Sequence, residues 1–468
     1  MFHDLVKETV NRIEAKEGRA RSRAAKQQAS FEHAVRLFIL DLWKSVHSVP
    51  VRECSVFKRS GHYSENPRYR DPLLTYKQTM AAFEGLLSLG FIEVTKVGHF
   101  DRGSATGEVT RFVAKNELLE RLIALDGHPA ISVPPLDNIE TIILRNRIDG
   151  KRVLEDYNDT PTTEKYRENL AKINACLARH WADLEIPDAE IQSLSERISK
   201  HPSKEPVDLA ERTLVRIFSN GSFNEGGRFY RGWWQNVPSE YWQYITIDAK
   251  RTAEVDFSQL NPHLLYQSCH KELGSEDAYS RVFDGDHRDL VKQAFNAMVQ
   301  ASTVLTVCPK GIDLSPFDIG WVDLRDAILA AHRPIADQFF RGIGNSLQFK
   351  DSCIAERIMF QFAEMDAPAL PVHDSFIVHH GYAWTGEIEE IMRRAYYEEV
   401  GQHISKVDTA ILSWFYRKEE KHDEENELDI DLMLTADSDL SAWSNRHRVW
   451  FDSQHDSSRL RRSEAKQS

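Results

Sequence analysis

The chain has 468 residues, a hydrophobic fraction of 41% and a formal net charge of −13. That length predicts two or three domains, and the apolar content excludes wholesale disorder. The acidic balance excludes a surface coated throughout in basic residues, though not a local basic patch of the kind nucleic acid requires. Five cysteines (Cys54, Cys176, Cys269, Cys308, Cys353) stand far apart with no CxxC pair. They predict reduced thiols, with neither a zinc site nor a disulfide framework. The opening segment lacks an apolar signal core and no run reaches membrane-spanning length, so a soluble, cytoplasmic protein with no membrane partner is expected.

In chain order, residues 1–30 read as a charged helix or arm, made locally basic by Arg19, Arg21, Arg23 and Lys26. A compact pattern occupies 31–126. Val35, Phe38 and Leu42 recur at helical spacing, and Thr75 is placed to cap a helix carrying Met80, Phe83 and Leu87 that ends at Gly90. Two β-prone segments, FIEVTKVG and EVTRFVA, flank a Gly-rich polar loop. Helices followed by a hairpin with a polar tip resemble a winged helix-turn-helix. In such a module Lys77 and Gln78 would face a DNA groove, and Lys96 and Arg102 in the wing would lie near phosphates. A protein-contact or purely structural winged helix is the alternative. A Pro-containing passage near 127–138 marks a boundary. Residues 139–206 read as a charged, mostly helical connector and 207–416 as mixed strands and helices. Residues 417–468 read as an acidic, partly disordered tail whose own partner is left open.

The chemistry concentrates in 207–416. In EVDFSQLNPHLLY, Val255 and Phe257 flank Asp256 in a β-prone run that turns helical at NPHLLY. This sets a carboxylate at a strand's C-terminal end, a position that suits Mg²⁺ shared with substrate phosphates. In ALPVHDSFIVHH two β-prone runs surround His373-Asp374-Ser375, so Asp374 falls at or near a hairpin turn. Two acids on adjacent strands meet the requirement of two-metal phosphoryl transfer. Between them HRDLVKQAFNAMVQAS predicts a helix with Arg288 and Lys292 on one face, a grip for a triphosphate. The aromatic cluster within 229–244 reads as core packing, with Arg231 and one Trp the best candidates there for nucleic-acid contact.

Together these segments resemble the palm of family A DNA polymerases and of the related single-subunit, phage-type RNA polymerases. DFSQL at 256–260 is similar to the family's first motif, D-Y-S-Q-I. Arg288 and Lys292 match the basic residues of the fingers-helix motif, and HDSF at 373–376 resembles the third motif in its RNA-polymerase form. GGRFYRGWWQNVP at 226–238 resembles the G-R-…-Q-N-I-P segment that lines primer and template. The resemblance covers about 207–416 and implies an α+β fold. Its parts would be a polymerase-type palm with short fingers and a helical thumb-like region in 139–206, preceded by the winged helix. It further implies that Asp256 and Asp374 hold two Mg²⁺ ions, with Mn²⁺ as a substitute. Lys292 would be catalytic, contacting the triphosphate and supplying a proton to pyrophosphate, with Arg288 assisting. Arg228, Gln235 and Asn236 would lie along primer or template, and His373 beside the primer end.

Two departures bear on the substrate. Asn261 stands where the DNA polymerases carry a Glu that excludes the 2′-hydroxyl, and an amide both donates and accepts. Asn296 and Gln300 stand where the fingers helix carries an aromatic residue and a Tyr. These three join Arg288 and Lys292 as candidate nucleotide-binding residues. The expected function is a template-directed nucleotidyltransferase without proofreading, with a DNA-directed DNA polymerase favoured. DNA primer-template and nucleoside triphosphates are the expected partners. The alternatives are an RNA polymerase or primase-polymerase, with RNA as product or partner, and an untemplated terminal transferase. From another class comes a non-catalytic winged-helix regulator or replication initiator carrying a retired palm. Replication of a mobile element, repair and defence are all compatible settings.

Overall fold

Two hydrophobic clusters organise the chain. The computed structural model describes residues 2–101, 106–125, 139–201, 204–274, 276–283, 287–404 and 407–412. The first cluster is built from helices Phe2–Glu17, Ala25–His47, Tyr76–Ser88 and Asn116–Ala124 around a small antiparallel sheet. Its strands are β1 (Cys54–Val56), β2 (Ile92–Lys96), β3 (Phe100–Asp101), β4 (Thr106–Gly107) and β5 (Thr110–Ala114). The order is β1-β5-β2, with β3 and β4 forming a separate short hairpin.

The opening helix is not an arm. Phe2, Leu5, Val10 and Ile13 recur on one face and bury into the same core as Phe38, Phe83 and Phe112. Gly85 makes the crossing with the third helix close, since a Cβ there would overlap the Ile13 side chain. Gly90, at φ +72°, ends that helix, its amide and that of Phe91 donating to the Leu87 and Leu86 carbonyls. The buried face differs from expectation by one position. Leu86 is buried and Leu87 is exposed. Gln78 also turns inward, in line with Ala82 one turn later, and at 5% exposure it cannot face a DNA groove. Lys77 beside it is exposed.

The segment expected to be a helical connector begins with strands: β6 (Ile142–Ile148) and β7 (Lys151–Leu154) form a hairpin. Its turn is Asp149-Gly150, both at positive φ, a primed-turn signature that matches strand twist. Helix Pro161–Arg179 follows, with a Thr160 capping box at its start, then β8 (Ala182–Leu184) and helix Asp188–Lys200. Strands β9 (Val215–Ser219) and β10 (Ser222–Tyr230) turn at Asn220-Gly221, again both at positive φ. Parallel pairing of β6 with β9 completes a four-stranded sheet in the order β10-β9-β6-β7.

Strands β11 (Ile245–Ile247) and β12 (Thr252–Phe257) lead into helices Leu260–Ser268, Arg288–Gln300, Trp321–Ala331 and Gly344–Glu364. Then come β13 (Leu370–Val372), β14 (Ser375–His379), helix Glu387–Val400 and β15 (Val407–Leu412). A second four-stranded sheet, wholly antiparallel, has the order β13-β14-β12-β15. Ile142, Leu170, Phe218, Val255 and Phe376 belong to one core, so 139–206 and 207–412 pack as a unit. The architecture is α+β, several small sheets among many helices. The two clusters are joined by Arg68, which pairs with Glu140, Asp156 and Asp159, and by a Val49–Val207 bridge. The boundary at 127–138, the tail at 417–468 and Arg102 lie outside the described residues. Among those described, no helix is long and apolar enough to cross a membrane, and all five cysteines are free.

Candidate functional site

Strand β12 is central in its sheet, so Asp256 near its end meets a strand on each side. Ser375 of β14 stands opposite it on one side and Asp408 of β15 on the other. Val372 pairs with Ser375, which leaves His373 and Asp374 as a two-residue turn, with His373 at φ +58°. Asp374 therefore arrives at the end of β12 by hairpin geometry. Glu254, two residues before Asp256 on the same strand face, adds a further carboxylate. Burial pushes the Asp256 carboxyl up to about 7, helped by Asp374 and then Glu254, while Lys292 opposes the shift. Asp256 Oδ1 is buried and has no hydrogen-bond partner. A buried, unpartnered carboxylate oxygen amid other acids is a donor set that suits a hard divalent cation.

Helix Arg288–Gln300 supplies the opposing charge. Lys292 is exposed on it and acts on Asp256. Arg288 lies one turn earlier, but it is tied to Asp277 at 3.0 Å, with its guanidinium 5.5 Å from the Tyr279 ring centroid. Burial, and next Asp374, raise the pKa of Tyr279, so its hydroxyl stays protonated at the edge of the acid cluster. On β10, Arg228 pairs with Asp351 at 2.6 Å. Burial works against the Arg228 charge, but Asp351 and Asp374 more than offset it. Burial also pushes Asp351 up to about 6 despite Arg228.

Three sequence-predicted nucleotide residues meet in space. Asn261 Nδ2 donates to Asn296 Oδ1 at 3.2 Å, and with Gln300 and Arg228 they line a niche of about 200 Å³. Gln300 reaches it because Gly344 has no side chain, and a Cβ there would overlap the Gln300 carboxamide. The niche adjoins a cavity of about 1180 Å³, lined in part by Arg228, Arg231, Asn236 and His373. Gln235 is committed elsewhere. Its Nε2 donates to the Phe229 and Pro371 carbonyls at 3.0 Å and its Oε1 accepts from Gly232, so it ties β10 to β13 instead of presenting an amide to nucleic acid. Lys96 in the N-terminal unit is likewise paired, with Glu108 at 2.8 Å.

Sequence reading missed several of these groups. Asp408 lies in an unremarkable β-prone run, and only strand pairing brings it opposite Asp256. Asp351 sits mid-helix with no motif around it. Arg216, fully buried, pairs with Glu356 at 2.6 Å and donates to the Gly227 carbonyl, fixing β9 and β10 against the helix that carries Asp351. One further Cys/His/carboxylate cluster occurs among the described residues, at Cys176, His180 and Asp366. Hydrogen bonds to Asp248 and Cys176 push His180 up to about 10, and its Nδ1 lies 2.6 Å from Asp248, a pairing that favours the charged imidazole.

No protein-family model matches the chain, and no curated protein matches it. Among solved structures, the POL domain of Pol1 from M. smegmatis, in complex with DNA primer-template and dNTP, aligns with a TM-score of 0.31 and 13% sequence identity. The alignment covers 48% of this chain and 50% of that chain, so this protein spans about half its length.

Proposed function

We propose that this protein is a template-directed nucleotidyltransferase, a DNA polymerase of family A type with short fingers, adding nucleotides to a 3′-hydroxyl. One observation carries the reading: Asp256 and Asp374 converge from β12 and the β13–β14 turn, with a buried, unpartnered Asp256 oxygen and Lys292 acting on it from a helix. Asp256 and Asp374 would hold two Mg²⁺ ions, which when bound would activate the hydroxyl and neutralise charge on the transferred phosphate. Burial and the neighbouring acids hold the Asp256 carboxyl above its ordinary value, so cation binding there would be coupled to loss of its proton.

Lys292 would meet the triphosphate, with Arg288 exchanging Asp277 for a phosphate oxygen. Asn261, Asn296 and Gln300 would check the incoming sugar and base. Arg228, held by Asp351, and His373 would border the primer end. In this reading 207–416 is palm and fingers, and helices Pro161–Arg179 and Asp188–Lys200 are the thumb-like part. Residues 31–126, joined by the opening helix, form a winged-helix-like module that brings the enzyme to DNA through a surface including Lys77.

The test is primer extension on a defined template with Mg²⁺, comparing dNTPs with rNTPs, beside Asp256→Ala and Asp374→Ala. Templated extension lost in both variants upholds the reading, and the preferred sugar identifies the product. Absence of any addition with Mg²⁺ or Mn²⁺ would leave a retired palm on a DNA-binding protein.

A further inference from the structure

Beyond Arg228 the large cavity continues across one face of the sheet β10-β9-β6-β7. Along β6, Ile142 and Leu144 enter the core, so by strand alternation Arg145 and Arg147 take the opposite face. Arg152 of β7 stands directly across from Arg147 in the ladder. Like charges at directly opposed positions destabilise a hairpin. Arg231, at φ +77°, approaches the same patch: burial, then Arg152 and Arg231, lower the pKa of Arg145, and no carboxylate counters them. Among the described residues, none of these four arginines makes an ion pair, whereas Arg68, Arg167 and Arg357 elsewhere each bind two or more carboxylates. The acids on the cavity wall are Glu205, Glu211 and Asp351. Glu211 pairs with Lys44 and Asp351 with Arg228. Tyr230 is 39% exposed in the midst of the patch. At about 1180 Å³ the space exceeds the ~300–1,000 Å³ of small-ligand pockets.

We propose that Arg145, Arg147, Arg152 and Arg231 bind the phosphates of single-stranded nucleic acid, with Tyr230 as a stacking platform. Repulsion among unpaired arginines is relieved by a polyanion, and an exposed aromatic interleaved with cations fits unpaired bases better than a closed duplex. From β7 to β10 are three strand spacings, ~14 Å, about the rise of four stacked nucleotides. The strand would run from the β6–β7 hairpin towards His373. Naming it the template's unpaired arm rests on the polymerase reading, whereas the phosphate track does not.

The experiment is fluorescence anisotropy of the full chain in EDTA, with a labelled single-stranded oligonucleotide and its duplex, across a salt series. The triple variant Arg145→Gln/Arg152→Gln/Arg231→Gln should weaken single-strand binding at least tenfold. It should flatten the log–log salt slope by about 2, at ~0.7 per lost phosphate contact. Arg152→Gln alone, at the exposed edge strand, should flatten it by about 0.7 and guards against a folding artefact. Unchanged affinity and slope in both variants, or a larger loss for duplex than for single strand, would overturn the proposal. If wild type extends primers while the triple variant binds as wild type, the track fails and the polymerase reading survives. If the arginines bind single strands but no nucleotide is ever added, the reverse holds.

Discussion

Replacing Asp256 by Asn removes a charge that the folded chain holds at a cost. Its carboxyl is pushed from 3.8 up to about 7, first by burial and then by Asp374 and Glu254. A carboxyl raised in the folded state favours folding while protonated. That contribution is fully present below about 3.8, declines as pH rises, and is lost above about 7. At ~1.4 kcal/mol per pH unit, and with the Asp256 residue only partly buried, the magnitude is about 2–4 kcal/mol. Asp256→Asn is therefore expected to unfold about 4–8 °C above wild type at pH 8 without metal, at ~2 °C per kcal/mol for a domain of this size. The gap should narrow towards pH 5. Mg²⁺ should raise the wild-type Tm at pH 8 and leave the variant nearly unmoved, because binding favours the charged carboxylate. Differential scanning calorimetry across pH, with and without Mg²⁺, measures both effects. An equal gap at pH 5 and pH 8, or an equal Mg²⁺ response in the two proteins, would mean that the buried Asp256 charge does not set this stability difference.

Lys292→Ala should lower kcat/KM for nucleotide addition by about 10²–10³ with little change in Tm, since the side chain is exposed; steady-state kinetics and calorimetry separate the two. Breaking the buried Arg216–Glu356 pair from one side, as in Arg216→Met, should cost about 3–5 kcal/mol by urea unfolding. The double variant Arg216→Met/Glu356→Leu should recover much of that loss. Gly344→Ala should displace the Gln300 carboxamide from its place in the niche with Asn261 and Asn296, raising KM for nucleotides more than it lowers kcat. His180→Gln should destabilise the fold below about pH 6.5, where the raised imidazole contributes fully, and the difference should fade as pH rises through about 10.

Local features were legible in the chain because they depend on near neighbours. The Gly90 helix end needs only a residue that tolerates positive φ, and it forms where the pattern put it. The short β-prone runs around Asp256 and Asp374 correspond to β12, β13 and β14, and a two-residue interval leaves His373-Asp374 in a turn. The β6–β7 hairpin was also legible, in Asp149-Gly150 between Ile- and Val-containing runs, but the charged helices after it dominated the composition of 139–206. The buried face around Gln78 and Leu87 differs by one position from the apolar pattern, because a face with Thr and Gly at buried positions has a weak apolar period.

Near neighbours along the chain set where strands, turns and helix ends fall, and so which carboxylates and cations stand at those ends. Packing sets which of those ends become neighbours. Asp408 reaches Asp256 through β15, Asp351 reaches Arg228 through a buried helix face, and Arg145 and Arg231 share a cavity wall through the parallel pairing of β6 with β9. The Asp256 carboxyl owes its value near 7 to burial and to Asp374, more than a hundred positions away in the chain, as well as to its near neighbour Glu254. Electrostatic energy and desolvation depend on distance and dielectric in space, and no pattern along the chain encodes either until it has folded.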